Sequence, residues 1–146
     1  MAQSVHTQAS EQTIDTMIQL TRLSYAQRII VAGNESLQTC TALHCRGYFR
    51  VTSVSIARPR GQYSVGYING EHYCQAIETN LSFVARFLAP SADIAVRIDH
   101  CESGIGRFIR ERLEKLGFRI EAGARCKQGL VLAAHRKNFT SMARAA

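Results

Sequence analysis

Apolar positions along the chain alternate between helical spacing and short β-branched runs. Residues 10–23 place apolar side chains on one helical face, with Ser10 available as an N-cap, which predicts a first amphipathic helix. The run 28-RIIVAG-33 is β-branched and ends in glycine, which predicts a strand. Helical spacing resumes over residues 35–47, where Gly47 stands at the position of a helix stop.

The same alternation continues to residue 137. The further elements that the pattern predicts are a strand at 48–57, a strand at 62–69, a helix at 71–88, a strand at 93–99 after a break at 89–92, a helix at 103–116 with Ser103 as N-cap, and two strand-like runs within 118–137. Strands that alternate with helices predict an α/β fold with a doubly wound, mostly parallel sheet, and the last two runs predict an antiparallel hairpin that closes it.

One connection does not fit this pattern. Parallel strands need a crossover of about a dozen or more residues, but only 58-RPRG-61 and its neighbours separate the second strand from the third. Either these two strands form a hairpin, or a bare loop crosses the sheet.

The length of 146 residues suits one domain. We expect a helix over residues 1–25 that packs on a domain over residues 26–137, and a frayed tail at 138–146. No apolar run is long enough to span a membrane, and the amino terminus MAQSVHTQASEQ is polar. Five cysteines, an odd number beside apolar segments, favour reduced thiols. A soluble cytoplasmic protein is the expectation.

The chain is basic, with a formal net charge of +7. Residues 101–146 carry ten Lys or Arg against four Asp or Glu, so the excess is concentrated there. Such a surface can attract an anionic partner, and nucleic acid is one candidate, although solvated helix faces are the commoner use of this charge.

The order of elements near the carboxyl terminus carries a family resemblance. A helix that ends in LEKLGF, followed by RIEAGARCKQGLVLAAHR, resembles the closing helix and hairpin of the class I (Rossmann-like) S-adenosylmethionine-dependent methyltransferases. The preceding FLAPSADIAVRID looks like the fifth strand of that family. Relative to the family, the unit between the second and fourth strands is missing, so the chain is similar to a truncated member.

The resemblance places the family's cofactor loop after the first strand. That loop has an acidic residue and three glycines at alternate positions, which let the backbone approach the ligand. Here Val31 stands at the acidic position, Gly33 is the first glycine, and Glu35 and Leu37 replace the other two. The loop is therefore degenerate, and it either binds S-adenosylmethionine near Gly33, Asn34 and Glu35 or only turns the chain.

Two further positions bear on the cofactor and substrate. The family's second strand usually ends in an acidic residue that holds the ribose, whereas this one is expected to end Ile56-Ala57-Arg58. The third predicted strand ends at Asn69, where the resemblance implies contact with cofactor and substrate. Asn69 would orient a substrate amine.

Residues Glu71 and His72 follow directly and are the candidate catalytic residues. Either of them can accept a proton from a substrate. The alternative is that both belong to the first turn of the next helix, where a carboxylate is favourable in any case.

Two weaker patterns remain open. His72, Cys74, His100 and Cys101 could converge on zinc, but buried thiols and capping histidines explain them without a metal, and we predict none. The stretch 102-ESGIGR-107 can hold an anionic small molecule at a helix start, and a capped helix after a tight turn explains it equally.

Two functions follow from the resemblance. One is methyl transfer to a small acceptor with S-adenosylmethionine, and the other is a non-catalytic binding or assembly module of the same fold with a basic surface. Loss of a strand and helix would leave strand 48–57 near an edge with apolar side chains exposed, which predicts a homodimer. Replacing Val54 with Lys should weaken that dimer.

Overall fold

The computed structural model describes residues 2–99 and 104–137, with side chains described from residue 8 onward. The elements in chain order are α1 (Ala2–Thr21), β1 (Ile29–Ala32), α2 (Ser36–Cys45), β2 (Val51–Ser53), β3 (Tyr63–Ile68), α3 (Cys74–Ala85), β4 (Leu88–Ile98), α4 (Ile105–Lys115), β5 (Phe118–Cys126) and β6 (Gly129–Arg136).

The strands form one sheet in the order β2-β1-β3-β4-β6-β5. Its first four strands are parallel, and β6 runs antiparallel to both β4 and β5. The predicted α/β fold is therefore confirmed, including the antiparallel hairpin that closes a mostly parallel, doubly wound sheet.

Each face of the sheet has its own apolar core, because successive side chains of a strand point to opposite faces. In β1, Ile29 and Val31 pack with the cluster that holds α1 and α2, whereas Ile30 and Ala32 pack with the cluster that holds α3 and α4. Burying one such aliphatic side chain contributes about 1.5–3 kcal/mol. A sheet covered on both faces explains why the central strands are apolar throughout.

The connection from β2 to β3 is a bare loop over residues 54–62. Both strands pair in parallel with β1, on its two sides, so the hairpin alternative is wrong. Val54 packs against the core on the α3 and α4 face, and the Tyr63 hydroxyl donates to Thr52 Oγ1 at 3.1 Å. The loop thus stands where a doubly wound fold has a crossover helix.

Both predicted ends of the second strand were wrong. The strand expected at 48–57 is only Val51–Ser53, because the chain turns directly after it. The backbone N–H groups of Ile56 and Ala57 both donate to the Ser53 carbonyl, at 3.2 and 3.0 Å. A turn that contains apolar side chains has the same local pattern as the end of a strand.

The other predicted element boundaries differ less from the structure. The break expected at 89–92 lies within β4, where the register against β3 shifts between Tyr63 and Val65 and so accommodates the additional residues. Helix α1 already begins at Ala2, so Ser10 lies inside it and is not its N-cap. Ser103 and the tail 138–146 lie outside the described residues.

Four cysteines fall within the described residues, and none of them forms a disulfide with another: Cys40, Cys45, Cys74 and Cys126. Burial raises the pKa of Cys40 to about 11, against the opposing effect of a hydrogen bond from Ser53. This thiol is therefore protonated at neutral pH and a weak nucleophile. Across residues 2–99 and 104–137, no helix combines the length and apolar character needed to cross a membrane.

Candidate functional site

The turns after β1 and β3 pack against each other at the carboxyl end of the sheet, which is the end where β1 to β4 finish. The Asn69 N–H donates to the Ala32 carbonyl at 3.0 Å, and the Glu35 N–H donates to the Asn69 carbonyl at 3.2 Å. The two turns are therefore joined by backbone hydrogen bonds. This end of a parallel sheet is where open α/β folds usually bind ligands.

Two glycines make this close packing feasible. A Cβ on Gly33 would overlap the Asn69 carbonyl oxygen and lie 2.8 Å from its carbon, and a Cβ on Gly70 would lie 2.6 Å from the Glu35 nitrogen. Their φ angles of +108° and +95° also disfavour other residues. A glycine at position 33 therefore allows the turn after β1 to pack directly against the backbone of Asn69.

The buried guanidinium of Arg97 organises the carboxyl end. Arg97 lies near the end of β4 and is 4% exposed. Its Nη2 donates to Glu35 Oε2 at 2.6 Å, and its Nε donates to Asn69 Oδ1 at 2.6 Å. Its Nη1 donates to Asp99 Oδ1 at 3.1 Å and to the Gln128 carbonyl at 3.2 Å. All three nitrogens are satisfied, as a buried cation requires.

The side-chain amide of Asn69 belongs to the same hydrogen-bond network. Its side chain is buried, its Oδ1 accepts from Arg97, and its Nδ2 donates to Thr39 Oγ1 at 2.9 Å. Both ends of the amide are therefore bound within the protein, and the orientation of a substrate amine by Asn69 stays a prediction.

An imidazole and a carboxylate pair beside this network. His72 Nδ1 is hydrogen-bonded to Asp99 Oδ2, while the other oxygen of Asp99 accepts from Arg97. The His72 side chain is 63% exposed and that of Asp99 is 19% exposed. Asp99 thus orients the ring, whose opposite edge lies toward solvent, and this is the arrangement of a positioned proton acceptor.

The structure brings together three of the six predicted site residues, Gly33, Glu35 and Asn69. His72 joins them through Asp99 and Arg97. Asn34 is exposed and Glu71 is half-buried, and neither has a side-chain hydrogen bond or ion pair within the described part of the chain. Both Glu71 and His72 precede α3, so the alternative that placed them in its first turn is wrong.

Sequence reasoning missed Arg97, Asp99 and Thr39. One signal for Arg97 was present, since it is a charged residue between apolar neighbours in a strand that is buried on both faces. Charges in such positions are almost always paired.

Three serines meet after β2, where the resemblance implied a ribose-binding carboxylate. Each Oγ atom is within hydrogen-bonding distance of the other two. The distances are 2.9 Å for Ser36 to Ser55, 3.0 Å for Ser36 to Ser53 and 2.7 Å for Ser53 to Ser55. Because β2 ends at Ser53, the predicted end at Ile56-Ala57-Arg58 was wrong. The second strand is still not followed by a carboxylate that could hold a ribose, because no Asp or Glu occurs between Glu35 and Glu71.

A cavity of about 270 Å³ borders this site between α1 and α2, with Glu35 and Asn69 in its wall. Small-molecule sites usually measure about 300–1,000 Å³, so this one is small. No cluster of three or more His, Cys, Asp or Glu side chains suited to a metal exists in the part of the chain that the structure covers, and His100 and Cys101 lie outside it.

Comparison with models of known families found no match, and neither did comparison with curated proteins. Solved structures do match. A protein-(glutamine-N5) methyltransferase from Alicyclobacillus acidocaldarius is 18% identical with a TM-score of 0.58, and the match covers 88% of this chain and 92% of that one.

A magnesium protoporphyrin IX methyltransferase from Synechocystis with bound S-adenosylmethionine is 13% identical with a TM-score of 0.58, over 88% of this chain and 80% of that one. The cyclase SpnF is 12% identical with a TM-score of 0.61, over 89% and 82%. The chain therefore has the Rossmann-like fold of the class I methyltransferases.

The residues at the carboxyl end do not fit S-adenosylmethionine in the way the resemblance implied. Glu35 occupies the second glycine position, its stem lies against Gly70, and its carboxylate is bound to Arg97. The glycine that the resemblance implies at this position is thus replaced by a side chain that is bound within the protein. The ribose-binding carboxylate is also absent from the described end of β2.

Proposed function

We propose that this methyltransferase-like protein is a non-catalytic binding module that does not use S-adenosylmethionine. The observation that carries the proposal is the Glu35–Arg97 ion pair: the residue at the second glycine position of the loop has its stem against Gly70 and its carboxylate bound to a buried cation. One fold hosts many unrelated functions, so the likeness to methyltransferases alone does not assign methyl transfer.

The energy of this ion pair supports the exclusion of a ligand. Breaking a buried pair by removing one partner's contact costs about 3–5 kcal/mol. A ligand of micromolar affinity has about 8.2 kcal/mol of binding free energy, and a millimolar ligand has about 4.1 kcal/mol. A cofactor of otherwise micromolar affinity that had to displace Glu35 from Arg97 would therefore bind with a dissociation constant of about 0.2–5 mM.

Calorimetry with S-adenosylmethionine and its demethylated product tests this proposal. We expect no measurable heat with the unaltered chain at micromolar ligand, and tighter binding by Glu35→Gly, which restores the second loop glycine and removes the carboxylate. Glu71→Gly is the matched control, since it removes a nearby carboxylate that does not bind Arg97. Micromolar binding by the unaltered chain would overturn the proposal, and equal behaviour of the two variants would contradict the role given to the ion pair.

A second candidate is methyl transfer to a small acceptor, and the His72–Asp99 pair favours it. A ring oriented by a carboxylate, with one edge exposed, is suited to take a proton from an acceptor. The same calorimetry separates the two candidates, because methyl transfer requires that the unaltered chain bind the cofactor. We also propose a cytoplasmic location, which the lack of a disulfide among the four described cysteines supports.

We further propose that the protein is a homodimer joined at the edge strand β2. β2 lies at one edge of the sheet, and Ile56 in the turn after it is 70% exposed. Val54 packs into the protein's own core, so Val54→Lys would damage folding and dimerisation together. Ile56→Lys is the better variant.

Light scattering at micromolar concentration should give about twice the mass of one 16.2 kDa chain for the unaltered protein, and close to one chain for Ile56→Lys. Leu37→Lys, which changes another exposed apolar residue, on α2, is the control and should stay dimeric. A single-chain mass for the unaltered protein would contradict the dimer.

A further inference from the structure

The chain has a long segment without negative charge. Between Glu35 and Glu71 there is no Asp or Glu, while Arg46, Arg50, Arg58 and Arg60 all fall within it. In the fold this segment forms the end of α2, the edge strand β2, the bare loop and β3. Arg46 pairs with Glu11 and Asp15 of α1, whereas Arg50, Arg58 and Arg60 form no ion pair with any described residue.

Exposed aromatic rings lie in the same region, at the amino end of the sheet, where β1 to β4 begin. Tyr25 is 65% exposed, and one face of its ring stacks on the buried Tyr48 with centroids 4.5 Å apart. Phe49 is 73% exposed, and the His44 ring lies 6.1 Å from it. Single exposed apolar side chains are common, but exposed rings grouped at one end of the sheet mark a candidate interaction surface.

Two arginines at this end of the sheet are held in place without being neutralised. Arg50 Nη1 donates to the Ala26 carbonyl at 2.8 Å. Arg28 donates to the carbonyls of Gln62 and Arg60, at 2.8 and 2.7 Å. Within residues 2–99 and 104–137, neither guanidinium forms an ion pair, so each keeps its full charge and further N–H donors.

Fixed cations beside open aromatic rings are the combination that binds single-stranded nucleic acid. The cations follow the phosphates, and the rings stack on bases whatever their sequence. A duplex offers no exposed base faces for the rings to stack on, and this surface consists of strand ends, turns and only the last turn of α2, whereas an element that reads a duplex groove is usually a whole helix or a two-stranded ribbon. The observations therefore favour a single strand.

We propose that the amino-end surface, defined by Tyr25, His44, Phe49, Arg50 and Arg60, binds single-stranded nucleic acid, with bases stacked on Tyr25 and Phe49 and phosphates near the arginines. This names a partner for the binding module and rests on that proposed function. The surface lies at the end of the sheet opposite to the Arg97 network.

Fluorescence anisotropy with labelled 12-nucleotide single strands of RNA and DNA, at about 50 and 200 mM salt, tests the proposal. Loss of one stacking ring should weaken binding by roughly 5- to 150-fold, so we expect that effect for Phe49→Ala. Tyr73→Ala is the matched control, because Tyr73 is 76% exposed at the carboxyl end, and it should bind as the unaltered chain does. Arg60→Gln should reduce the slope of log K against log salt by about 0.7 if it neutralises one phosphate.

Several results would overturn the proposal. These are no binding of single strands at low salt, tighter binding of a 12-base-pair duplex, or equal weakening by Phe49→Ala and Tyr73→Ala. Binding that depends on Phe49 but is seen only with vesicles containing phosphatidylserine would assign the surface to a membrane, and a change of mass in Phe49→Ala without oligonucleotide would assign it to a second copy. The calorimetry with S-adenosylmethionine is independent of all of these, so failure of either proposal is distinguishable.

Discussion

Replacing Arg97 with Met should lower the free energy of unfolding by about 3–5 kcal/mol, because it leaves the carboxylates of Glu35 and Asp99 without their buried partner. The Asn69 amide oxygen loses its donor as well. For a chain of this size the melting temperature should fall by roughly 10 °C. Urea and thermal unfolding, followed by circular dichroism, measure both quantities.

The matched control is Arg107→Met, which removes an arginine from an exposed pair. Arg107 is 87% exposed and lies 3.6 Å from Glu111 on the same helix, and such pairs contribute about 0–1 kcal/mol. The Glu35→Gln variant and the double variant with Arg97→Met complete a cycle, in which the two changes should be clearly non-additive. A loss in Arg97→Met no larger than in Arg107→Met would show that the network does not hold the carboxyl end together.

The order of the elements could be predicted from the sequence because the signals for it are local. Four consecutive apolar residues in β1 and the apolar face of α4 each identify an element without reference to the rest of the chain. Alternation of such elements then limits the sheet to a doubly wound one. The resemblance to the class I methyltransferases rested on this order, and the solved structures share the fold.

The path from β2 to β3 could not be predicted, because it depends on distant pairing. The residues around 58-RPRG-61 suit a hairpin turn and a bare crossover equally. Pairing of both strands with β1 decides between them, and β1 lies more than 20 residues earlier in the chain. The apolar side chains of Val54 and Ile56 extended the predicted strand for the same reason, since alternation alone does not distinguish a strand from an apolar turn.

The candidate site was predicted in part. Carboxyl ends of neighbouring strands must meet, which brought Gly33, Glu35 and Asn69 together. What those residues do there depends on Arg97, which stands 62 residues after Glu35 and 28 after Asn69. Without Arg97, a carboxylate in the cofactor loop suggests a ligand contact, and with it the same carboxylate is half of an internal ion pair.

The role of Gly33 distinguishes these two interpretations of the loop, and Gly33→Ala should cost about 2–6 kcal/mol of stability. An alanine at a φ of +108° carries backbone strain of about 1–3 kcal/mol, and the overlap of its Cβ with the Asn69 backbone adds about 1–3 kcal/mol. The second contribution exists only if the turn is packed against Asn69. Denaturant unfolding of the ligand-free protein measures the sum.

Gly104→Ala isolates the first contribution, since Gly104 has a nearly identical φ of +105° and a Cβ there would meet no described atom within 4 Å. If Gly33 were a glycine reserved for an approaching ligand, both variants would lose the same stability in the absence of ligand. We expect Gly33→Ala to lose at least about 1 kcal/mol more, or to fail to fold under conditions where Gly104→Ala folds. Equal losses would mean that the two turns do not touch, and that the carboxyl end is open to a ligand after all.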